Sequence, residues 1–305
     1  MKIIDPHHHL WDLQSNYYPW LTDHITTRVC GDYAAIRHDY LISDFRRDID
    51  GLEVVASVHI QAEHDPRDPV CETRWLQTIA DDRDKSAGFP HGIVAYADLS
   101  APDVERTLQA HRSFANTRGI RQSLNGILND PGANKDLLRD PIWRSNLALV
   151  GRLGFSFDLQ LYPQHVAVAL PLLRANPDMR FILCHTGLPA DQSPEGAATW
   201  RSAIRELATC ENLAVKISGF GMFDRTWTRE SIRPFVRDAI EIFGTGRCMF
   251  ASNFPVDGMA ASYRDIWRAF DDITCDLSAA ERDALFCRNA CRFYRLSVLE
   301  NPARD

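Results

Sequence analysis

Short runs of β-branched and aliphatic residues alternate with segments of helical periodicity along the whole chain, and this alternation limits the fold more than any other feature. The strand-like runs are 2–9 (KIIDPHHH), 53–61 (EVVASVHIQ), 92–99 (GIVAYADL), 119–124 (GIRQSL), 155–161 (FSFDLQL), 180–184 (RFILC), 213–218 (LAVKIS) and 247–251 (RCMFA). Between them, Trp75, Leu76 and Ile79 share one helical face, and Ile142, Trp143, Leu147 and Val150 share another. Residues 166–174 make a further helix, and Ser100-Ala101-Pro102-Asp103 supplies a cap and an early proline for the helix after the third strand. Strands that each lead into a helix are read as parallel, joined by crossovers. Eight such units without a linker or repeat predict an α/β fold, a single (β/α)8 TIM barrel over residues 1–305, rather than an open doubly wound sheet. Neither a G-x-G-x-x-G nor a Walker A motif is present to hold a nucleotide.

Hydrophobic residues make up 45% of the chain and charged residues 25%, enough for a large core. The net charge of -7 offers no positive field to nucleic acid or to an acidic membrane, so neither is an expected partner. The eight cysteines form no C-x-x-C pair. Cys287 and Cys291, the nearest two, have helical spacing beside Leu285 and Phe293, and buried free thiols in a reducing compartment are expected. No apolar stretch approaches the ~18 residues needed to span a bilayer, and a cytoplasmic location is the expectation.

In a barrel of this kind the chemistry gathers at the C-terminal ends of the strands. Those ends supply His7 and His9, then Gln61 with Glu63 and His64, Asp98, Arg121, Asp158 or Gln160, His185, Lys216 with Ser218, and Asn253 with Asp257. A purely structural barrel has no use for so many imidazoles and cations at one mouth. Alternation along a strand sends His7 and His9 to one face and His8 to the other, with His7 and His9 about 7 Å apart. The aromatic segment Tyr17-Tyr18-Pro19-Trp20-Leu21 is either an active-site loop or a hydrophobic cover. Turn residues Asn125-Gly126 and Asp130-Pro131-Gly132 follow the fourth strand.

Several of these stretches resemble one family when taken in order. Asp5-Pro6-His7-His8-His9-Leu10-Trp11 is similar to a D-x-H-x-H-x-W opening, and residues 61–80 to a second strand with an E-x-x-W-L helix. Gly119-Ile120-Arg121 matches a G-I-R element, residues 181–189 (FILCHTGLP) a histidine-glycine-proline element, and residues 215–219 a V-K-x-S-G element. Together they resemble the amidohydrolase superfamily, specifically its amidohydrolase-2, lactonase-like group. The resemblance covers almost the whole chain. It implies a hydrolase with His7, His9 and His185 around the reacting carbonyl and Trp11, Gln61, Arg121 and Lys216 toward the substrate. The chain departs from the pattern at its eighth strand, where residues 249–256 (MFASNFPV) carry Asn253 in place of the family's aspartate. An amide cannot act as a general base near neutral pH, and Asp257, four residues on, is the carboxylate placed to reach back in its stead.

The same resemblance leaves two cofactor readings open: no cofactor at all, or one divalent metal such as Zn²⁺ on His7, His9 and His185. The expected substrate is a small carboxylated or sugar-derived lactone, and a homodimer is compatible with the family. A superfamily decarboxylase or hydratase of an aromatic-derived acid is the nearest rival reading, and a non-catalytic ligand-binding barrel is the other. Arg121 either forks a substrate carboxylate or makes a rim ion pair; Lys216 either polarises the carbonyl or makes a salt bridge inside the barrel. If a histidine is the base, ordinary ionisation constants place the rise in rate near pH ~6.5, with a carboxylate base acting at lower pH.

Overall fold

The computed structural model describes residues 1–23, 30–124 and 137–299, and the turn residues 125–132 lie outside them. Eight parallel strands form one sheet in sequence order: β1 (Ile3–His8), β2 (Val54–Ile60), β3 (Gly92–Ala95), β4 (Thr117–Ile120), β5 (Ser156–Leu159), β6 (Phe181–Leu183), β7 (Leu213–Ile217) and β8 (Cys248–Phe250). This is the (β/α)8 barrel that the alternation predicts. Most strands are a residue or two shorter than the sequence reading, β4 also ends at Ile120 rather than at 124, and two edges need a separate reason. β3 stops at Ala95 although the apolar run continues to Leu99, and β4 starts at Thr117, two residues before its glycine. Both follow from the ladder: Ile93 pairs with Thr117 and Ala95 with Ile120, and backbone beyond these partners peels into loops.

The seam between β8 and β1 is closed just past the end of β8. His7 accepts a hydrogen bond from the backbone N–H of Asn253 (2.8 Å), and His9 N–H donates to Phe254 (2.8 Å). Asp5 holds the same seam from its side chain, accepting from Ser252 N–H (3.1 Å), Ser252 Oγ (2.6 Å) and Tyr263 Oη (3.0 Å).

Alternate residues point inward to form one cluster, Ile4, Ala56, Val58, Ile60, Val94, Ile182, Ala214 and Met249. Cys287, Ala290, Tyr294 and Leu296 from the C-terminal helical segment join this cluster at the end where the strands begin. Asn289 donates to the carbonyls of Thr245 and Cys248, and Leu296 packs against Gly92, which fixes that segment beneath the barrel. The opposite faces of the strands bury Phe157, Phe181, Leu213, Val215 and Phe250 against the helices. β1 breaks the simple alternation. Asp5 lies opposite Ser57 while His8 lies opposite His59, so one extra residue is accommodated there, and Ile4 and His7 both face inward despite their odd spacing.

Of the two readings for the aromatic segment, the cover is what forms: Tyr18, Trp20 and Leu21 are buried, with Trp20 against Trp11 and its indole N–H on the Ala62 carbonyl. The eight cysteines are all free, five of them buried, and among the described residues no helix is long and apolar enough to cross a membrane.

His8 faces outward, stacked on Phe45 at 4.2 Å, with Nε2 on Ser57 Oγ at 2.8 Å. Beside it His59 bonds the Leu10 carbonyl, and further round His111 bonds both Thr73 and the Tyr96 carbonyl. Burial pulls His8 well below the usual imidazole range, His59 down to about 3 and His111 to about 4. These groups are neutral when folded and take up protons more readily when unfolded, so their stabilisation is present above the ordinary value of 6.5 and is lost as pH falls below it. Asp5, pushed up to about 6 by burial, has the opposite sign, as have Glu72 and Asp257 at about 7, while the lowered His7, His9 and His185 add to the imidazole side and keep the net sign. The melting temperature should therefore be highest near neutral pH and decline steadily toward about pH 4, and His59→Gln should flatten that slope; thermal melts across this pH range measure both.

Candidate active site

The inward side chains at the strand ends build the site around His7. Its ring lies 4.4 Å from that of His185 and 5.1 Å from that of His9, centroid to centroid. The separation from His9 is shorter than ideal strand spacing suggests because the chain has left the ladder by residue 9. His9 Nδ1 is 2.7 Å from the Ile60 carbonyl, an acceptor only, so Nδ1 carries the proton and Nε2 presents its lone pair. His185 is held at Nδ1 by Ser218 Oγ (3.1 Å). His7 differs from both: it is fully buried, yet neither ring nitrogen has a partner. A buried imidazole with two bare nitrogens is an incomplete site, since each unmade hydrogen bond costs about 1–3 kcal/mol.

Two cations lie beside the imidazoles. Arg121, next after β4, donates from Nη2 to the Gln61 carbonyl (2.5 Å), while its buried Nε has no partner. Gln61 turns its side-chain oxygen to Glu63 N–H and leaves a buried Nε2 without an acceptor. Lys216 on β7 is fully buried and forms an ion pair with Asp158 on β5 at 2.5 Å, the interior salt bridge that was one of its two sequence readings. Burial first, then the charge of Lys216, holds His7 and His185 well below the usual imidazole range, and for His9 burial is followed by Arg121. The imidazoles are thus neutral acceptors well into acid.

Asn253 sits where the family's aspartate is expected. Its backbone adopts φ +54°, a left-handed conformation that asparagine tolerates, and its Nδ2 donates to Asp257 Oδ1 at 2.9 Å. Asp257 accepts with its other oxygen from Gly219 N–H (3.1 Å) and is buried, and burial pushes it up to about 7. Asp257 therefore ties the loops after β7 and β8 together through Asn253. Gly219 must be glycine: its φ is +83°, and a Cβ would lie 2.8 Å from the Cβ of His185. Glu63, His185, Thr186, Leu188 and Asn253 also have positive φ, so backbone strain concentrates at this end of the barrel.

The remaining sequence candidates take up supporting places. Trp11 is fully buried, 6.3 Å from the ring of His9, and gives its indole N–H to the His38 carbonyl, making it a wall behind His9. His64 packs on Tyr18 at the rim, and Asp98 is engaged by Ser100 N–H within its own loop and by Gln122 Nε2 from the segment after β4. Gln160 is half-buried just beyond β5, so at this strand Asp158 is the residue inside. Sequence reasoning missed Glu72, which accepts from Ala62 N–H out of the helix Cys71–Asp81 that follows β2 and is pushed up to about 7 by burial. Its only sequence signal was the family-like E-x-x-W-L pattern.

The resemblance implied a divalent ion on His7, His9 and His185. Among the described residues, however, no three His, Cys, Asp or Glu side chains are grouped as a metal site requires. The fourth position is an amide, and two fixed cations bear on the same imidazoles. Three neutral imidazoles can hold Zn²⁺ with a fourth position open, but the missing anionic ligand and the neighbouring cations weaken this donor set for a divalent ion.

The Asn253–Asp257 contact makes a direct prediction. Asn253→Asp places a second carboxylate against a buried first one, and the two can coexist only by sharing a proton. The variant should lose about 2 kcal/mol of stability at pH 8, from the lost charged hydrogen bond, and regain most of it near pH 5. Denaturant unfolding at the two pH values measures this; equal stability at both means that the contact is absent.

Comparisons with known proteins agree with this geometry. The amidohydrolase family model matches residues 4–296. An uncharacterized protein of Sinorhizobium fredii is 48% identical over 97% of this chain and 99% of its own length. An L-fucono-1,5-lactonase of Burkholderia ambifaria is 27% identical over 99% of this chain and 97% of its own. Among solved structures, an amidohydrolase from Burkholderia multivorans with bound zinc superposes with a TM-score of 0.81 at 26% identity, covering 97% of this chain and all of that one. With the family model spanning the barrel from its first strand to the segment that closes its base, this chain belongs to the amidohydrolase family.

Proposed function

We propose that this chain is a hydrolase that opens a small carboxylated or sugar-derived lactone at the C-terminal mouth of the barrel, without a divalent ion. The observation that carries the reading is His7, a buried imidazole kept neutral, with both nitrogens bare and a cation close by. In this reading a water attacks the lactone carbonyl carbon and His7 takes its proton. The carbonyl oxygen becomes an oxyanion facing the remaining N–H groups of Lys216, where preorganised donors are worth most. As the ring C–O bond breaks, the imidazolium returns the proton to the departing alkoxide, giving the hydroxy acid. His9 and His185 hold the substrate and water, Asn253 presents its amide without ionising, and Arg121 with Gln61 offers donors to a carboxylate or hydroxyls. The lactonase relatives support the substrate class.

The pH dependence separates the possible bases, in an order opposite to the one that ordinary ionisation constants suggest. Burial and neighbouring cations draw His7 down while burial lifts Asp257 to about 7. With His7 as base, the rate should already be level at about pH 6; with Asp257 as base, it should rise through about 7. A kcat/KM profile on any lactone that is turned over distinguishes the two.

A panel of sugar and carboxylated lactones, assayed with and without chelator, tests the reading as a whole. Turnover should survive chelation, and Arg121→Ala should raise KM about tenfold or more with a smaller change in kcat, with Arg121→Lys only partly restoring it. Loss of activity on chelation, restored by Zn²⁺, would reject the metal-independent mechanism.

A further inference from the structure

We propose that Tyr294, carried by the helical segment beneath the barrel, is a positioning residue for the active site, holding Lys216 in place through Asp158. Residues 279–294 form one helical run interrupted by a π-helical turn at Ala284–Arg288, whose Leu285, Phe286 and Cys287 are buried. The run ends by inserting Tyr294 into the barrel, where the phenol is fully buried among inward-facing strand residues. Its hydroxyl donates to Asp158 Oδ2 at 2.7 Å, the oxygen that also receives Lys216 Nζ at 2.5 Å. The Lys216 ammonium lies 5.7 Å from the centre of the Tyr294 ring.

This cluster touches the site from below. Cys184, the residue before His185, has its Sγ 3.8 Å from Asp158 Oδ2, and Lys216 is two residues before Ser218, which bonds His185. The charged and titratable groups around the pair are Arg121 from the end of β4, Cys184 from the end of β6, His7 and His185 above, and Tyr294 below. Asp158 Oδ1 is buried without a partner, so all three donors, the ammonium, the phenol and the weaker Cys184 thiol, fall on Oδ2 and together fix the carboxylate rotamer. Without the phenol, Lys216 and the weak Cys184 thiol donor hold a half-bare buried carboxylate, which is then freer to turn and take the ammonium with it. The base of the barrel is in this way part of the machinery that places a cation at its mouth.

The test uses Tyr294→Phe, which removes one oxygen and keeps the ring, with Leu296→Ala as a control that loosens the same end without touching the hydrogen bond. The kinetic arm rests on the proposed lactone hydrolysis; the spectroscopic arm does not. Tyr294→Phe should lower kcat about tenfold or more and leave KM within about twofold, since Lys216 acts on the transition state while Arg121 holds the substrate. In ¹⁵N NMR the Lys216 ammonium should be a resolved, slowly exchanging signal in the wild type and in Leu296→Ala, and should shift or broaden in Tyr294→Phe. An unchanged signal in Tyr294→Phe, or the same kcat loss in Leu296→Ala, overturns the proposal in favour of a packing role. If no lactone is turned over by the wild type, the functional reading fails, while the ammonium signal still decides the positioning role; should Tyr294→Phe not fold, a Lys216 signal in the wild type that exchanges at the rate of the surface lysines overturns the proposal.

Discussion

Asp5 accepts four hydrogen bonds within the barrel wall, from His7 N–H, Ser252 N–H, Ser252 Oγ and Tyr263 Oη, and the rest of the site depends on this junction. A parallel sheet becomes a barrel only when its last strand meets its first, and here the meeting is made by residues 252–254 against residues 7–9. The same few bonds therefore close the fold and set Asn253 beside His7. The strained backbone of Asn253 is tolerable because it is held from both sides, by the His7 carbonyl and by the side chain of Asp257.

Burial decides the chemical character of the mouth. Imidazoles in water titrate near neutrality, but these are surrounded by apolar wall and by cations, and both influences favour the neutral ring. The same burial lifts Asp257, with three N–H donors only partly offsetting it. Bases and acids thus exchange the order in which they would ionise in solution. Arg121 after β4 and Lys216 on β7 are anchored differently, one on the Gln61 carbonyl, the other on the Asp158 carboxylate.

Much of this was legible in the order of residues. Short β-branched and aliphatic runs followed by helical patterns occur eight times, and strand polarity is set by which end leads into a helix, so the mouth and its polar residues follow directly. His7, His9, His185, Arg121, Lys216 and Asn253 are found at that mouth for this reason, since each lies at or near the C-terminal end of an apolar run. The strand ends at Ala95 and Thr117 were less readable because pairing, a property of two segments, sets where a strand stops.

What the sequence determined by itself is which residue types arrive at one end of the barrel, because side-chain alternation and strand direction are local properties of the chain. Tertiary structure alone decided the partners and the protonation of those residues. That Lys216 pairs with Asp158 and that Tyr294 reaches the same carboxylate from 136 positions away are contacts between elements with no shared local pattern. Ionisation was equally hidden, since it depends on how much water the fold removes and which charges it brings near, and neither quantity exists until the barrel has closed.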